Sequence, residues 1–266
     1  MLQAILKGKV PSELVNSEDL LTSSVIGTMR YITNLQILKS ILEQAINASN
    51  EQLSIDIEIQ EVIYYFWPKL ENSEPDVLIQ LKDSNNQSYI VCIEAKYFSG
   101  KSSYEDETVA FDERKNYHRD QLAREIEDLY RLSTLKLLNI KKENINAIQI
   151  IYLTNDTYIP IDDIENSSNS IREEKFKKED IYWLCWKRIS NVLRMNWVGT
   201  PQDKLLLIDL INLFKRTNLI SFGGFEQFYA VEETNWQYTT NMRQLNWRGL
   251  NFVENNYWTY RSGTNG

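Results

Sequence analysis

Two carboxylates and a lysine, placed near the ends of two strand-like runs, carry the strongest chemical signal in this sequence. Asp76 stands at the start of the first run, and Glu94 and Lys96 lie two positions apart in the second. Side chains alternate across a strand, so Glu94 and Lys96 share one face. Hairpin pairing can bring Asp76 beside Glu94. Two carboxylates and an ammonium at one edge of a sheet suit a hard divalent cation, which prefers oxygen ligands.

The element that must position these groups is a β-hairpin over residues 74–99. Apolar residues alternate along 77–81, and residues 89–97 form a second, more apolar strand. The intervening residues 83–87, DSNNQ, have turn chemistry. Pro75 lacks a donor for the strand ladder and therefore suits the first position of a strand. The pattern predicts a hairpin with acidic groups near both ends.

Helical periodicity predicts two helices upstream of the hairpin, over residues 12–48. Asn16 or Ser17 can cap the first helix. Glu18 and Asp19 lie in its first turn, where negative charge complements the helix dipole. That complementation is a sufficient explanation of these two acids when they are considered alone.

The remaining pattern predicts helices alternating with buried strands. We predict strands at 53–67, 147–154 and 181–186, helices at 117–139, 188–197 and 202–216, and polar loops at 99–116 and 155–180. Together with the hairpin, these elements indicate an α/β (α+β) fold, with a central mixed sheet of four to five strands flanked by helices. The helix after the hairpin suits a right-handed crossover into a parallel strand.

Length and composition bound the class of protein. The chain has 266 residues, and 42% of them are hydrophobic, as in ordinary globular proteins. We predict a domain over residues 1–200 and a helical, aromatic-rich C-terminal extension over 201–266 that packs on it. No apolar run approaches the roughly 18 residues that a membrane span needs. Cys92 and Cys185 stand in apolar runs, which favours buried thiols and a cytoplasmic protein.

The net charge of −8 bears on the choice of partner. Affinity for duplex nucleic acid comes largely from basic contacts to phosphate, so an acidic chain favours other partners. A bound divalent metal brings its own positive charge, however, and a local basic groove can coexist with acidic outer faces. Both a nucleic-acid partner and a different partner stay open at this point.

The hairpin motif resembles the signature of a known family. Pro75-Asp76 followed by Glu94-Ala95-Lys96 is similar to the motif of the PD-(D/E)XK nuclease superfamily, which has the restriction endonuclease-like fold. Residues 16–22, NSEDLLT, resemble the acidic helix that opens many members. Residues 94–102, EAKYFSGKS, resemble a version common in uncharacterised prokaryotic members. The likeness covers residues 16–190.

This resemblance implies a metal site. Asp76 and Glu94, together with the carbonyl of Ala95, would bind Mg²⁺ or Mn²⁺. Glu18 would be the first-helix acid that reaches the metal directly or through water. Asp19, one position later and about 100° round the helix axis, is the alternative.

The resemblance also implies roles for two further side chains. Lys96 would orient or help to deprotonate the attacking water and would offset charge in the transition state. Gln121 resembles a helix glutamine found near the site in many members. Some members carry a tyrosine four residues later, but Glu125 stands there, so the motif is not extended. The single histidine, His118, has no partner motif and is interpreted as a helix-start residue.

The implied function is a metal-dependent endonuclease that hydrolyses DNA, with RNA not excluded. Such a protein would fit a prokaryotic restriction or antiphage defence system, in which it could act with a protein partner or as a homo-oligomer. One alternative is a non-catalytic nuclease-fold module that binds protein or nucleic acid. Another is a soluble α/β protein in which Asp76 and Glu94 are ordinary surface acids and Lys96 is their salt-bridge partner.

Overall fold

The chain divides into two units, Met1–Ser221 and Phe222–Gly266. A computed structural model describes residues 2–11, 17–97, 120–173, 175–195 and 197–221, and two short strands at 246–247 and 258–259. The predicted loop at 99–116 and His118 lie outside the described residues. Within those described ranges, no helix is both long enough and apolar enough to cross a membrane.

The first unit contains one sheet and the helices around it. Its helices are α1 (Leu2–Leu6), α2 (Glu18–Met29), α3 (Leu35–Leu42), α4 (Gln121–Leu129), α5 (Leu132–Leu137), α6 (Ile161–Ser170), α7 (Trp186–Leu193) and α8 (Pro201–Arg216). Its strands are β1 (Ile46–Asn47), β2 (Glu61–Phe66), β3 (Val77–Lys82), β4 (Ser88–Ala95), β5 (Ile145–Thr154) and β6 (Ile181–Cys185). In the second unit, β7 (Asn246–Trp247) and β8 (Trp258–Thr259) pair antiparallel.

The six strands of the first unit form a mixed sheet in the order β1-β6-β5-β4-β3-β2. β3 is antiparallel to both β2 and β4, whereas β4, β5 and β6 run parallel. The helices α4 and α5 lie between the parallel strands β4 and β5 in the chain. The predicted α/β class is confirmed, with six strands rather than four or five.

The additional strand comes from a segment that was predicted to be helical. Ile46 and Asn47 form β1 and pair antiparallel with Trp183 and Tyr182 at the edge of the sheet. The preceding helix α3 ends at Leu42, and a turn separates it from β1. Because Ile46 continues the apolar spacing of the preceding helix, periodicity alone predicted that it belongs to that helix.

Other predicted boundaries also differ from the structure. In place of the predicted strand 53–67 the structure has the shorter β2. Residues 53–60 alternate in burial, which produced the strand-like pattern, but they form no strand of the sheet. The predicted loop 155–180 contains α6, whose one fully enclosed apolar residue, Ile164, provides little periodic signal. The predicted helix 117–139 is divided into α4 and α5 in its described part.

Helices cover both faces of the sheet. Along β4, Val91 and Ile93 join one apolar core cluster, and Ile90 and Cys92 join the other. The first cluster includes side chains of α2, α3, α7 and α8, and the second includes side chains of α4 and α6. This alternation explains why β4 is apolar on both faces. Both cysteines are free and buried, as expected.

The helix α8 belongs to the first unit, although it follows the predicted boundary at residue 200. It packs against α1 and α7. Its capping residue Thr200 and the buried Asp203 form a capping box, and Asp203 also accepts hydrogen bonds from the backbone and side chain of Thr33. By these contacts, α8 is part of the unit Met1–Ser221.

Candidate active site

The hairpin that carries the predicted site is held by its turn. The Asp83 carboxylate accepts hydrogen bonds from the backbone N–H groups of Asn85 and Gln87, both at 2.8 Å. This local closure goes with a register in which Val77 pairs with Ile93. The next position in this register places Asp76, which precedes β3, opposite Glu94, which follows Ile93.

Asp76 is held by three hydrogen bonds. Its Oδ2 accepts from the Ala95 backbone N–H at 2.8 Å, and its Oδ1 accepts from Trp67 Nε1 at 3.2 Å. The Trp67 N–H also donates to the Asp76 carbonyl at 2.9 Å. Burial raises the pKa of Asp76, and the hydrogen bond from Ala95 opposes that shift.

Glu94 is only 2% exposed and is held through one oxygen. Its Oε1 accepts from Lys96 Nζ at 2.5 Å and from Gln121 Nε2 at 2.7 Å. Its Oε2 is buried and has no hydrogen-bond partner among the described residues. Burial, followed by the nearby charge of Asp76, raises the pKa of Glu94 to about 7.

Lys96 joins the hairpin to the start of α2. Its ammonium lies 3.2 Å from Glu18 Oε1, and Glu18 Oε2 accepts from the Tyr97 backbone N–H at 2.9 Å. Burial lowers the pKa of Lys96, but the carboxylates of Glu94, Glu18 and Asp76 together outweigh burial, so the net pKa is raised. Lys96 is therefore a charged donor in this arrangement.

The structure distinguishes between the two acids at the start of α2. Ser17 caps the helix by accepting a hydrogen bond from the Leu20 N–H, so Glu18 becomes the first helical residue. Glu18 points to Lys96, whereas Asp19 is exposed. Glu18 is the first-helix acid that reaches the cluster.

The helix α4 brings two side chains to the cluster, and sequence reasoning recognised only one. Gln121 is the first residue of α4 and donates to Glu94, as described above. Glu125 lies one turn later, is fully buried, and also receives a hydrogen bond from Gln121. Its Oε2 is 3.9 Å from Cys92 Sγ. The spacing of four residues indicates a shared helix face, and that signal was available in the sequence.

Glu94 and Glu125 form a buried acid pair. The two side chains interact directly, and burial, then the charge of Glu94, holds the pKa of Glu125 well above its ordinary value. One oxygen of each, Glu94 Oε2 and Glu125 Oε1, has no donor within the described residues. A carboxylate can only accept, so a proton on one acid or a cation must satisfy such a pair.

Two tryptophans that sequence reasoning did not select also support the cluster. Trp67 holds Asp76 from the end of β2 and has a left-handed backbone, with φ of 45°. Trp186 is fully buried and donates from Nε1 to the Lys96 carbonyl at 3.1 Å. The sequence offered no signal for these contacts, since neither tryptophan is near its partner in the chain.

A divalent cation fits part of this donor set. Asp76 and Glu94 are buried carboxylates with raised pKa values, and one Glu94 oxygen lacks a donor, so the pair is short of positive charge. The third predicted ligand, Glu18, faces the Lys96 ammonium instead. In the described part of the chain, no group of three or more acidic, histidine or cysteine side chains is arranged to hold a metal ion.

Comparison with known proteins adds no further information to this geometry. No protein-family model matches the chain, and neither a curated protein nor a solved structure matches it.

Proposed function

We propose that this chain is a metal-dependent endonuclease that hydrolyses phosphodiester bonds of DNA. The observation that carries the proposal is a cluster of five side chains beside the start of β3 and the end of β4: Glu18, Asp76, Glu94, Lys96 and Gln121. They come from α2, the β3–β4 hairpin and α4. Buried acids with raised pKa values cost stability, and such groups concentrate at functional sites.

Asp76 and Glu94 would hold the Mg²⁺ or Mn²⁺ ion. The ion would polarise the scissile phosphate and lower the pKa of a bound water. The charged Lys96 ammonium can donate to that water or to a phosphate oxygen, and its raised pKa favours this role over that of a base. Gln121 keeps Glu94 Oε1 in place, and Trp67 does the same for Asp76.

The sheet topology supports the finer fold assignment as well. Asp76 lies just before β3, and Glu94 lies near the end of β4. The strands β5 and β6 follow and run parallel to β4. This arrangement is consistent with a restriction endonuclease-like core, which we propose for the first unit. The likeness to defence-associated members supports an effector role in the cytoplasm, with a protein partner or a second copy.

Cleavage of plasmid DNA in the presence of Mg²⁺ or Mn²⁺ tests the activity. We expect nicking or linearisation by the wild type and its loss in Asp76→Ala and Lys96→Ala. Lys82→Ala is the matched control. Lys82 lies at the end of β3 away from Asp76, and it forms a salt bridge with Glu61, which is exposed. Identical behaviour of the wild type and the two site variants on DNA and RNA would show the proposal to be wrong.

The defence role has a separate test. The protein would be purified from its native host together with any bound partner, and the site variants would be challenged with phage. Loss of protection in Asp76→Ala would support an effector. An inactive preparation without a partner, and without any effect on phage plating, would remove the defence proposal.

A second candidate function is a non-catalytic module that binds protein or nucleic acid. The Lys96 ammonium already lies between Glu18 and Glu94, which neutralises part of the cluster without any metal. Thermal unfolding with and without Mn²⁺ separates the two functions, because an ion that binds the folded state raises the melting temperature. A wild type that Mn²⁺ does not stabilise would favour the module.

A further inference from the structure

A concave pocket lies beside the candidate site, between α2 and the end of β2. We call it the α2–β2 pocket. Its volume is about 470 Å³, within the range of small-ligand sites. Its lining includes Ser23, Gly27, Arg30, Tyr31, Phe66 and Trp67. The six residues offer small groups, aromatic rings and one cation.

The side of the pocket formed by α2 carries small residues. Ser23 and Gly27 are four residues apart and therefore lie on one helix face. A glycine inside a helix lowers stability relative to alanine. A Cβ at Gly27 would have its nearest contacts at 4.0 Å, from Phe66 and from Ser23, so close packing does not require glycine here. Gly27 therefore leaves unfilled space on this side of the pocket.

The opposite side is aromatic. The ring of Phe66 stacks on Tyr64, with centroids 6.3 Å apart, and tilts towards Trp67 at 5.9 Å. The exposed Arg30 guanidinium lies 5.9 Å from the centre of the Phe66 ring. Tyr31 is 65% exposed. Aromatic faces combined with an arginine are the groups that bind unpaired bases and their phosphates.

The pocket is directly connected to the candidate site. Trp67 lines the pocket and also donates to Asp76 from its ring and from its backbone. The helix α2 begins with Glu18, which contacts Lys96, and its next turns line the pocket. A nucleic-acid strand with a phosphate at Asp76 would therefore have a neighbouring nucleotide at the pocket.

We propose that the α2–β2 pocket binds an unpaired nucleobase of single-stranded or locally opened DNA, next to the phosphate that is cleaved. The base stacks on Phe66 and Trp67, and Arg30 contacts an adjoining phosphate. The role of the pocket in DNA cleavage rests on the proposed nuclease function. Stacking also provides affinity without many basic residues, which agrees with the net charge of −8.

Binding of a dye-labelled single-stranded oligodeoxynucleotide, measured by fluorescence anisotropy in EDTA, tests the pocket without any cleavage. We expect Phe66→Leu and Arg30→Gln each to weaken binding by about tenfold, the usual effect of one lost stacking or phosphate contact. Tyr130→Leu and Arg172→Gln are matched controls from a separate pocket of about 200 Å³. They should bind like the wild type.

A second probe examines the base itself. An oligonucleotide of abasic sites has the same phosphates without rings, so the wild type should bind it about tenfold more weakly than the normal strand. Tyr31→Ser, at an exposed position, repeats the test if Phe66→Leu lowers the melting temperature. Equal binding of the two strands, unchanged binding by the variants, or no binding by the wild type would each overturn the proposal.

The two proposals fail separately. If the plasmid is cleaved but the pocket variants bind and cleave like the wild type, the pocket proposal is wrong and the nuclease stands. If base-dependent binding is lost in the pocket variants but no metal supports cleavage, the pocket stands as a nucleobase site and the nuclease proposal is wrong.

Discussion

Glu94 has two neighbours that act on its charge in opposite directions. Burial and the negative charge of Asp76 favour the protonated form, whereas the Lys96 ammonium favours the ionised form. The balance leaves the pKa of Glu94 near 7 and that of Glu125 well above its usual range. At neutral pH the cluster therefore contains carboxyl groups whose burial is incompletely offset by positive charge.

This imbalance predicts a specific dependence of stability on pH. An acid whose pKa rises on folding binds protons more strongly in the folded state, so stability falls as pH increases from about 4.5 to about 7. Glu94→Gln mimics the protonated form. We expect it to stabilise the metal-free protein by on the order of 2–3 kcal/mol at about pH 8, and to flatten the decline below pH 7.

Urea denaturation at several pH values measures this effect. Glu165→Gln, an exposed position on α6, serves as the matched control and should keep the decline of the wild type. Parallel pH profiles for wild type and Glu94→Gln would contradict the assignment of the pH dependence to Glu94.

Trp67 is predicted to act through Asp76. Trp67→Phe keeps an aromatic ring but removes the Nε1 donor that holds Asp76 Oδ1. Loss of such a supporting hydrogen bond typically weakens metal binding or activity by about tenfold to a hundredfold. We expect a decrease of that size in Mn²⁺ affinity, measured by the concentration dependence of the melting temperature.

The matched control for this change is Trp197→Phe. Trp197 follows α7, and its indole N–H donates to the carbonyl of Val192 in that helix. The substitution therefore removes a comparable hydrogen bond away from Asp76. Equal effects of the two substitutions on Mn²⁺ affinity would mean that Trp67 has no specific role at Asp76.

At the scale of secondary structure, Asp128 ties α4 to the loop before β3. It is fully buried, and its carboxylate accepts from the backbone N–H of Asn72, from the Asn72 side chain and from the Ser73 hydroxyl. The same loop leads into Asp76, and the same helix carries Gln121. One buried acid therefore fixes the two elements on which part of the candidate site lies.

Asp128→Asn tests this link. The amide replaces an acceptor with a donor that faces the Asn72 side chain, and it also removes the charge beside Arg131. Breaking a buried, charged hydrogen-bond network costs about 2–4 kcal/mol, which urea denaturation can measure. Asp209→Asn is the control, since Asp209 accepts one exposed hydrogen bond from Gln3. A loss no larger than that of Asp209→Asn would contradict the structural role.

Considering the whole molecule, the described core lies in the first unit. Both apolar clusters are formed by residues between 2 and 220, and they cover the two faces of the sheet. The helix α8 supplies Leu210, Phe214 and other residues to the larger cluster. The site side chains all belong to the same unit.

This organisation predicts where the chain can be shortened. A protein that ends at Ser221 should unfold cooperatively, with a melting temperature within a few degrees of the full chain, because its core is retained. A protein that ends at residue 200 loses α8 and should be unfolded or strongly destabilised. Calorimetry of both would decide, and an unfolded 1–221 protein would show that residues 222–266 complete the core.

Local sequence was sufficient to predict the hairpin pairing at the centre of the candidate site. The turn at 83–87 and the two-residue period of the strands place Asp76 opposite Glu94, and Glu94 two residues before Lys96. These features depend on neighbours in the chain and on the backbone geometry of a hairpin, so a pattern can reveal them. The α/β class followed from the order of the apolar runs in the same way.

Tertiary structure decided the features that local pattern could not contain. It placed Glu18 against Lys96, turned Glu125 towards Glu94 and brought Trp67 to Asp76. It also recruited Ile46 into an edge strand and made a helix of a polar segment. These outcomes depend on packing between distant segments and on the loss of water around charges, which is why only the folded chain shows the raised pKa values.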